Sequence, residues 1–300
     1  MGFGWVAATL IAAAAQTARN ATQASLTRAI GTIGATQVRF LFGLPFAILF
    51  LGLVTGISGQ SVPPLTAQAL GFTTIGALSQ IAATALMLFT MKSQAFAVTT
   101  AWIKTEPVLV ALIAAAVLGD PLTLPMLGAI AVATAGVLVM SLKPGATQWH
   151  EVGPALTGLL AGVLFGAAAI GFRGGILALP SGDFLIRATT ILTLSLALQA
   201  GILLIWMVLF DRRSLIASFG VWRSSLGAGF LGALASQFWF IGFSLTSAAN
   251  VRTLALVEVI FAQAVSAYVF RQPVSQRQMF GMAVIVLGVG LLLGAQAKTP

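Results

Sequence analysis

The chain has 300 residues, 59% hydrophobic and only 7% charged, with a formal net charge of +9. A water-soluble domain carries roughly 25% charged residues and could not hide this much apolar surface at this size. Lipid must therefore solvate most of the exterior, which excludes a soluble globular fold and predicts an all-α integral membrane protein.

A bilayer-spanning helix needs about 20 mostly apolar residues. The chain divides into about ten such segments: 3–24, 34–55, 66–90, 95–118, 123–142, 153–178, 184–210, 224–244, 248–270 and 276–296. They are too long and too uniformly apolar for barrel strands, and lipid requires each span to close its own backbone hydrogen bonds. Turn chemistry separates most of them: Gly59 to Pro64, Gly119-Asp120-Pro121, Lys143-Pro144-Gly145, Pro180-Ser181-Gly182-Asp183, Asp211-Arg212-Arg213 and Arg271-Gln272-Pro273.

In chain order, the first segment lacks the basic start of a secretory signal and is read as a retained span. It carries a polar stripe, Gln16, Arg19, Asn20 and Gln23, at i, i+3, i+4, i+7 on an otherwise Ala-rich helix. Gln16 and Asn20 are expected to line a hydrated cavity, with an interfacial helix end as the plain alternative. The second segment holds Arg39 and the third Gln80. The fourth holds Trp102, Lys104 and Glu106. On a continuous helix Trp102 and Glu106 share a face, whereas Lys104 and Glu106, two apart, are poor partners. Gly158, Gly162 and Gly166 in the sixth segment, and Gly290 and Gly294 in the tenth, have the spacing that lets helix backbones approach closely. Further polar residues are Gln199, then Ser236, Gln237 and Trp239, then Asn250, Thr253, Glu258 and Gln263. Any one of these can bond a neighbouring helix without functional need, since such bonds average well under ~1 kcal/mol.

An ionisable residue inside a span is costly and marks a candidate functional site. Arg39, Lys104, Glu106 and Glu258 stand out. A shift of 152 residues superposes Glu106 on Glu258, Ala97 on Ala249, Ala115 on Ala267, Val117 on Val269, Pro121 on Pro273, Gly136 on Gly288 and Val137 on Val289. The reading is two five-helix repeats, 1–146 and 147–300. An odd number of helices per repeat inverts the second relative to the first. Inverted repeats around a midplane site are a mark of secondary transporters. Two acids at similar depth, one per repeat, suit binding of an ammonium group or carriage of a proton. The plain alternative is neutralisation by Arg39 or Lys104. Trp102 and Trp239 are candidate aromatic cavity walls, or lipid-facing aromatics.

Several chemistries are excluded. With no cysteine there is no disulfide, thiolate nucleophile or cysteine metal site, and the lone histidine, His150, sits in a polar connection beside Glu151. No metal and no cofactor are expected. The basic residues are scattered at helix ends, which argues for anionic lipid and against nucleic acid. They number four on the N-terminal side (Arg173, Arg187, Arg252, Lys298) and nine opposite (Arg19, Arg28, Lys92, Lys143, Arg212, Arg213, Arg223, Arg271, Arg277). That asymmetry places both termini outside the cytoplasm.

The run Glu106-Pro107, then Leu118-Gly119-Asp120-Pro121-Leu122-Thr123, Gly128 and Gly136 is echoed by Glu258, then Phe270-Arg271-Gln272-Pro273-Val274-Ser275, Gly281 and Gly288. In this pattern, across nearly its whole length, the chain resembles the drug/metabolite transporter superfamily, in its ten-helix EamA-type branch. Asp120 and Gln272 stand where the family often has Glu, and Arg39 and Arg187 resemble a recurrent family arginine. The resemblance implies an inner-membrane carrier with a central cavity and termini inside the cytoplasm, contrary to the charge count. It also implies export of amino acids or related metabolites, as in bacterial aromatic amino-acid exporters. The expected function is therefore secondary active transport by a monomer, with protons as a candidate coupling ion, Glu106, Glu258 and Arg39 as lead site residues, and Trp102, Gln16, Asn20, Gln80, Trp239 and Asn250 around them. A carrier of lipids, isoprenoids or drug-like compounds is the near alternative. An intramembrane enzyme is the distant one, and no span carries a channel filter or a Walker motif.

Overall fold

A computed structural model describes residues 4–91, 102–141, 152–268, 271 and 274–297. Among these every regular element is a helix: α1 (Gly4–Leu41), α2 (Leu44–Ser58), α3 (Ala67–Met91), α4 (Glu106–Leu118), α5 (Leu124–Ser141), α6 (Val152–Leu177), α7 (Phe184–Phe210), α8 (Arg212–Gly220), α9 (Trp222–Leu245), α10 (Ala248–Leu254), α11 (Val257–Tyr268) and α12 (Gln276–Ala297). Among the described residues six stretches are long and apolar enough to cross a membrane: Ile33–Ser58, Ala67–Met87, Leu156–Leu177, Phe184–Phe210, Trp222–Leu245 and Gln276–Ala295. Glu106–Leu118 and Leu124–Met140 are shorter apolar helices. His150, Glu151, Lys92, Lys143, Gln272 and Pro273 lie outside the described residues, as does the 143–145 break.

The segment boundaries follow the local chemistry. Gly59 and Gly119 end α2 and α4 in the left-handed conformation, at φ 66° each, which glycine adopts without steric cost. Where the sequence offers no proline the expected gap closes. Residues 25–33 stay helical and α1 runs on to Leu41, interrupted only at Gly31 (φ 75°, ψ 175°). Three expected spans are instead divided. The second breaks at Phe42-Gly43, just ahead of Pro45. The fourth breaks at Lys104-Thr105, where Pro107 withholds an amide from the helical ladder, and the ninth breaks at Ala255-Leu256 without a proline.

The chain packs as two compact units, Met1–Ile81 with Gly171–Thr246, and Ala82–Ile170 with Ser247–Pro300. In the first, α9 lies along α1, and a methyl group added to Gly229 would strike the Phe42 backbone at 2.5 Å. The end of α6 packs on α3, where Gly171 meets the backbone of Phe72 and Gly76. Basic side chains serve helix ends. Arg187 donates to the carbonyls of Ile176 (3.0 Å) and Leu177 (2.9 Å) at the end of α6, and Arg173 to those of Phe243 and Thr246 at the end of α9. These two arginines thus satisfy carbonyls that a helix leaves unpaired.

In the second unit α5 and α12 are in backbone contact. A methyl on Gly136 would come within 2.7 Å of Ile285 N, and one on Gly288 would collide with the Ala133 backbone. Gly290 and Gly294, expected to make such an approach, have nothing within 4 Å of an added methyl among the described residues. The outer faces stay apolar, with Ile57 87%, Leu124 85% and Phe280 62% exposed, as lipid contact requires.

Two outcomes are expected. Gly288→Ala or Gly136→Ala should destabilise the detergent-solubilised protein by about 1–3 kcal/mol through overpacking, while Gly290→Ala should leave its melting temperature unchanged. Asp183 caps α7 by accepting from the amides of Leu185 and Ile186 and is bonded by Gln60. The Ile186 amide bond foremost holds its carboxyl below the usual 3.8. A lowered folded pKa stabilises above the unfolded value. That stability should fade as pH falls below 3.8, and Asp183→Ala, losing about 1 kcal/mol as a cap, should remove that part of the acid-induced loss in melting temperature.

Candidate functional site

The divided fourth and ninth spans meet within the second unit, and their divisions are alike. At the first, Thr105 N bonds Trp102 O at 3.1 Å and Val108 N bonds Thr105 O at 3.2 Å. At the second, Leu256 N bonds Thr253 O (3.1 Å), Glu258 N bonds Ala255 O (2.9 Å) and Val259 N bonds Leu256 O (3.1 Å). Both are tight turns of i to i+3 bonds, a form that often marks a hinge in a helix. Each delivers an acid to the first turn of the next helix, Glu106 on α4 and Glu258 on α11. A helix N-terminus carries partial positive charge and stabilises a carboxylate there. The 152-residue shift that pairs the acids carries Lys104 onto Leu256, so the two turns coincide in the repeat to within one residue.

The charges cross between the spans. Arg252, at the end of α10, donates to Glu106 Oε2, and Lys104 Nζ lies 3.3 Å from Glu258 Oε2. Both acids are buried, Glu106 at 3% exposure and Glu258 at 8%. Each span therefore contributes one acid and one cation, and each pair ties one span to the other. Glu106 Oε1 is buried without a hydrogen-bond partner among the described residues. Gly162 and Gly166 of α6 back this region. A methyl on Gly162 would lie 3.3 Å from Ile103 O, and one on Gly166 would lie 3.1 Å from Val110 Cγ2 and 3.8 Å from Glu106 Cγ. The GxxxG spacing here gives the divided span room beside its acid.

Of the two cations named as alternative neutralisers, Lys104 pairs with Glu258, while Glu106 pairs with Arg252. Arg252 was legible as an ionisable residue inside the 248–270 segment, yet its place near the segment's start gave it the look of an interfacial charge. Trp102 is half-buried and its carbonyl accepts from Thr105 Oγ1 at 2.7 Å. The turn between Trp102 and Glu106 replaces the continuous helical register that put them on one face. Asn250 is buried in the first turn of α10, where its amide bonds the capping Ser247 Oγ at 3.3 Å.

The remaining expected site residues belong to the first unit. Gln16 Oε1 accepts from Trp239 Nε1 at 3.1 Å, and Arg19 donates to Asn20 Oδ1 at 2.9 Å. Arg19 and Gln16 of the polar stripe thus turn toward α9, while Asn20 is exposed and the Gln23 side chain lies outside the described residues. Gln80 Oε1 accepts from the fully buried Gln199 at 2.7 Å. Arg39 is buried, its guanidinium 5.2 Å from the Phe40 ring centre.

A buried cation or acid left without its partner costs about 3–5 kcal/mol. Arg252→Gln should therefore lower the thermal stability of the purified protein markedly, and the double variant with Glu106→Gln should recover a large part of the loss. Additive losses in that double-mutant cycle would show the pair to be energetically idle.

A search of curated proteins finds no match to the chain. A solved crystal structure superposes on it with a TM-score of 0.74 at 18% identity, covering 98% of each chain, a likeness that speaks to the fold. Residues 153–294, just under half of the chain, match the EamA-like transporter family, and the chain is an apolar helical membrane protein that carries a domain similar to that family.

Proposed function

We propose that the protein is a secondary active transporter that exports small metabolites, amino acids foremost, across the cell inner membrane by alternating access. Residues 1–146 and 147–300 would act as its two inverted repeats. The observation that carries the reading is the crossed pairing of Glu106 with Arg252 and of Glu258 with Lys104 at two matching turns. A carrier needs charges that are satisfied when the site is empty and can change partners when it is filled. The pairs provide this. A substrate ammonium can replace Arg252 or Lys104 at a carboxylate, and a proton taken up by the carboxylate releases the cation in the same way. Glu106 has a buried oxygen, Oε1, still able to accept a proton or an N–H donor. Tight turns next to both acids let a change of partner become a change of helix direction. The family domain favours transport over intramembrane catalysis.

Purified protein in proteoliposomes should take up at least one of a panel of radiolabelled amino acids saturably, and faster under an imposed proton gradient. Glu106→Gln and Glu258→Gln should each reduce that uptake by about tenfold or more while the protein stays monodisperse. Full uptake by both variants would remove the acids from the mechanism. Uptake of no amino acid by folded protein would redirect the substrate to lipids, isoprenoids or drug-like compounds.

A further inference from the structure

The connection between α7 and α9 exposes side chains that suit neither water nor hydrocarbon. The two spans it joins, Phe184–Phe210 and Trp222–Leu245, stop at its ends, so α8 sits on one side of the membrane. At 9 residues it is about 13.5 Å long, far too short to cross. Arg212, Ile216 and Phe219 follow i, i+4, i+7 spacing along one exposed stripe of α8, with the exposed Arg213 beside it. Trp222 and Arg223, also exposed, carry the same mixture into the start of α9. Ile216 is 71% exposed, Phe219 53% and Trp222 51%. The other side of the helix faces inward. Ser218 is buried, and Ala217 and Val221 pack against a cluster of Leu26, Ile30, Ala35, Val38 and Phe42 drawn from both sides of the Gly31 bend.

In water this stripe would leave Ile216, Phe219 and Trp222 wet, and in hydrocarbon it would strand three guanidiniums. The headgroup layer accepts both, because an apolar side chain dips toward the acyl chains while an arginine extends to the phosphates. Tryptophan favours the same layer. Among the described residues none of the three arginines forms an ion pair. Arg212 uses one donor, Nε, on the Val208 carbonyl at 2.6 Å, and the Arg223 guanidinium lies 5.4 Å from the Trp222 ring centre. The adjoining Asp211 side chain accepts from the Ser214 amide at 3.2 Å as the cap of α8. A guanidinium fork matches the oxygens of a phosphate, and three of them so close in the chain favour a surface of net negative charge. We propose that α8 lies in the headgroup plane, where Arg212, Arg213 and Arg223 bind the phosphates of anionic phospholipid. The Phe219 ring is 5.3 Å from that of Phe42, which stands at the division of the second span. Lipid held on the outer stripe therefore steadies the bend of α1 and the start of α2 from outside. The proposal is independent of the substrate.

The test uses the purified full chain in nanodiscs of phosphatidylcholine, with and without a share of phosphatidylglycerol. Phosphatidylglycerol should raise the melting temperature by several degrees, and added salt should shrink the gain. The triple variant Arg212→Gln, Arg213→Gln, Arg223→Gln should lose most of the gain, and the corresponding lysine variant should keep part of it. A control carrying Arg271→Gln and Arg277→Gln should keep all of it. No gain in the wild type, a full gain in the triple glutamine variant, or an equal loss in the control would each overturn the proposal. So would an equal gain from soluble glycerol phosphate added to phosphatidylcholine discs, which would make this a site for free phosphate. Depth is read separately and does not depend on the triple variant folding. The chain has no cysteine, so Ile216→Cys carries a single spin label. Its collision rates with oxygen and with an aqueous nickel complex should place it at headgroup depth. A label fully open to the aqueous reagent, or one at the bilayer centre, would sink the proposal.

Discussion

A charge that leaves water must take its counter-charge along, and in this chain that requirement decides the structure of the spans that matter most. Glu106 and Glu258 are tolerable in an apolar setting because Arg252 and Lys104 reach them and because each opens a helix whose N-terminal amides favour an anion. The helix openings exist because the spans are divided, and the divisions sit where the cations can cross. Take away the turn at Lys104-Thr105 and Glu106 lies in mid-helix, without dipole support. The polar chemistry and the irregular backbone are thus one solution to one cost.

Packing in the second unit serves the same arrangement. Gly162 and Gly166 give α6 a face without side chains against the divided span, and Gly136, Gly281 and Gly288 bring α5 and α12 into backbone contact. Lipid supplies little hydrophobic drive for helix association, so close backbone approach has to do that work. Substitution in these contacts is resisted by neighbouring main chain, which cannot rotate away as a flexible side chain can.

Much of this was legible in the sequence. Composition set the solvent, and composition with length set the class. Gly59 and Gly119 mark real helix ends because each acts through its own backbone, whereas the break before Pro107 falls inside a segment read as one helix. The duplicated acids stood out because ionisable residues are rare in spans. What escaped depended on three-dimensional partners. Arg252 looked interfacial by its distance from the segment's edge, and the break at Ala255-Leu256 has no glycine or proline to announce it. The polar stripe on α1 had the right period for a cavity face, yet the sequence could not say that Trp239 and Gly232 would stand opposite Gln16 and Arg19. Small-residue spacing alone could not separate Gly162 and Gly166, which touch a neighbour, from Gly290 and Gly294, which touch none among the described residues.

The crossing of the pairs has a bearing on how such a chain can drift. Because Glu106 leans on a cation from the other span, as does Glu258, neither span can shed its acid without stranding a cation in its neighbour. Change is therefore permitted by couples, 106 with 252 and 104 with 258, although Arg252 also feels the charge of Glu258. Arginine keeps its charge under all ordinary conditions and grips with a fixed fork, while lysine is a mobile point charge that accepts substitutes more readily. The 104–258 couple is the looser of the two, and divergence among related chains should reach it first.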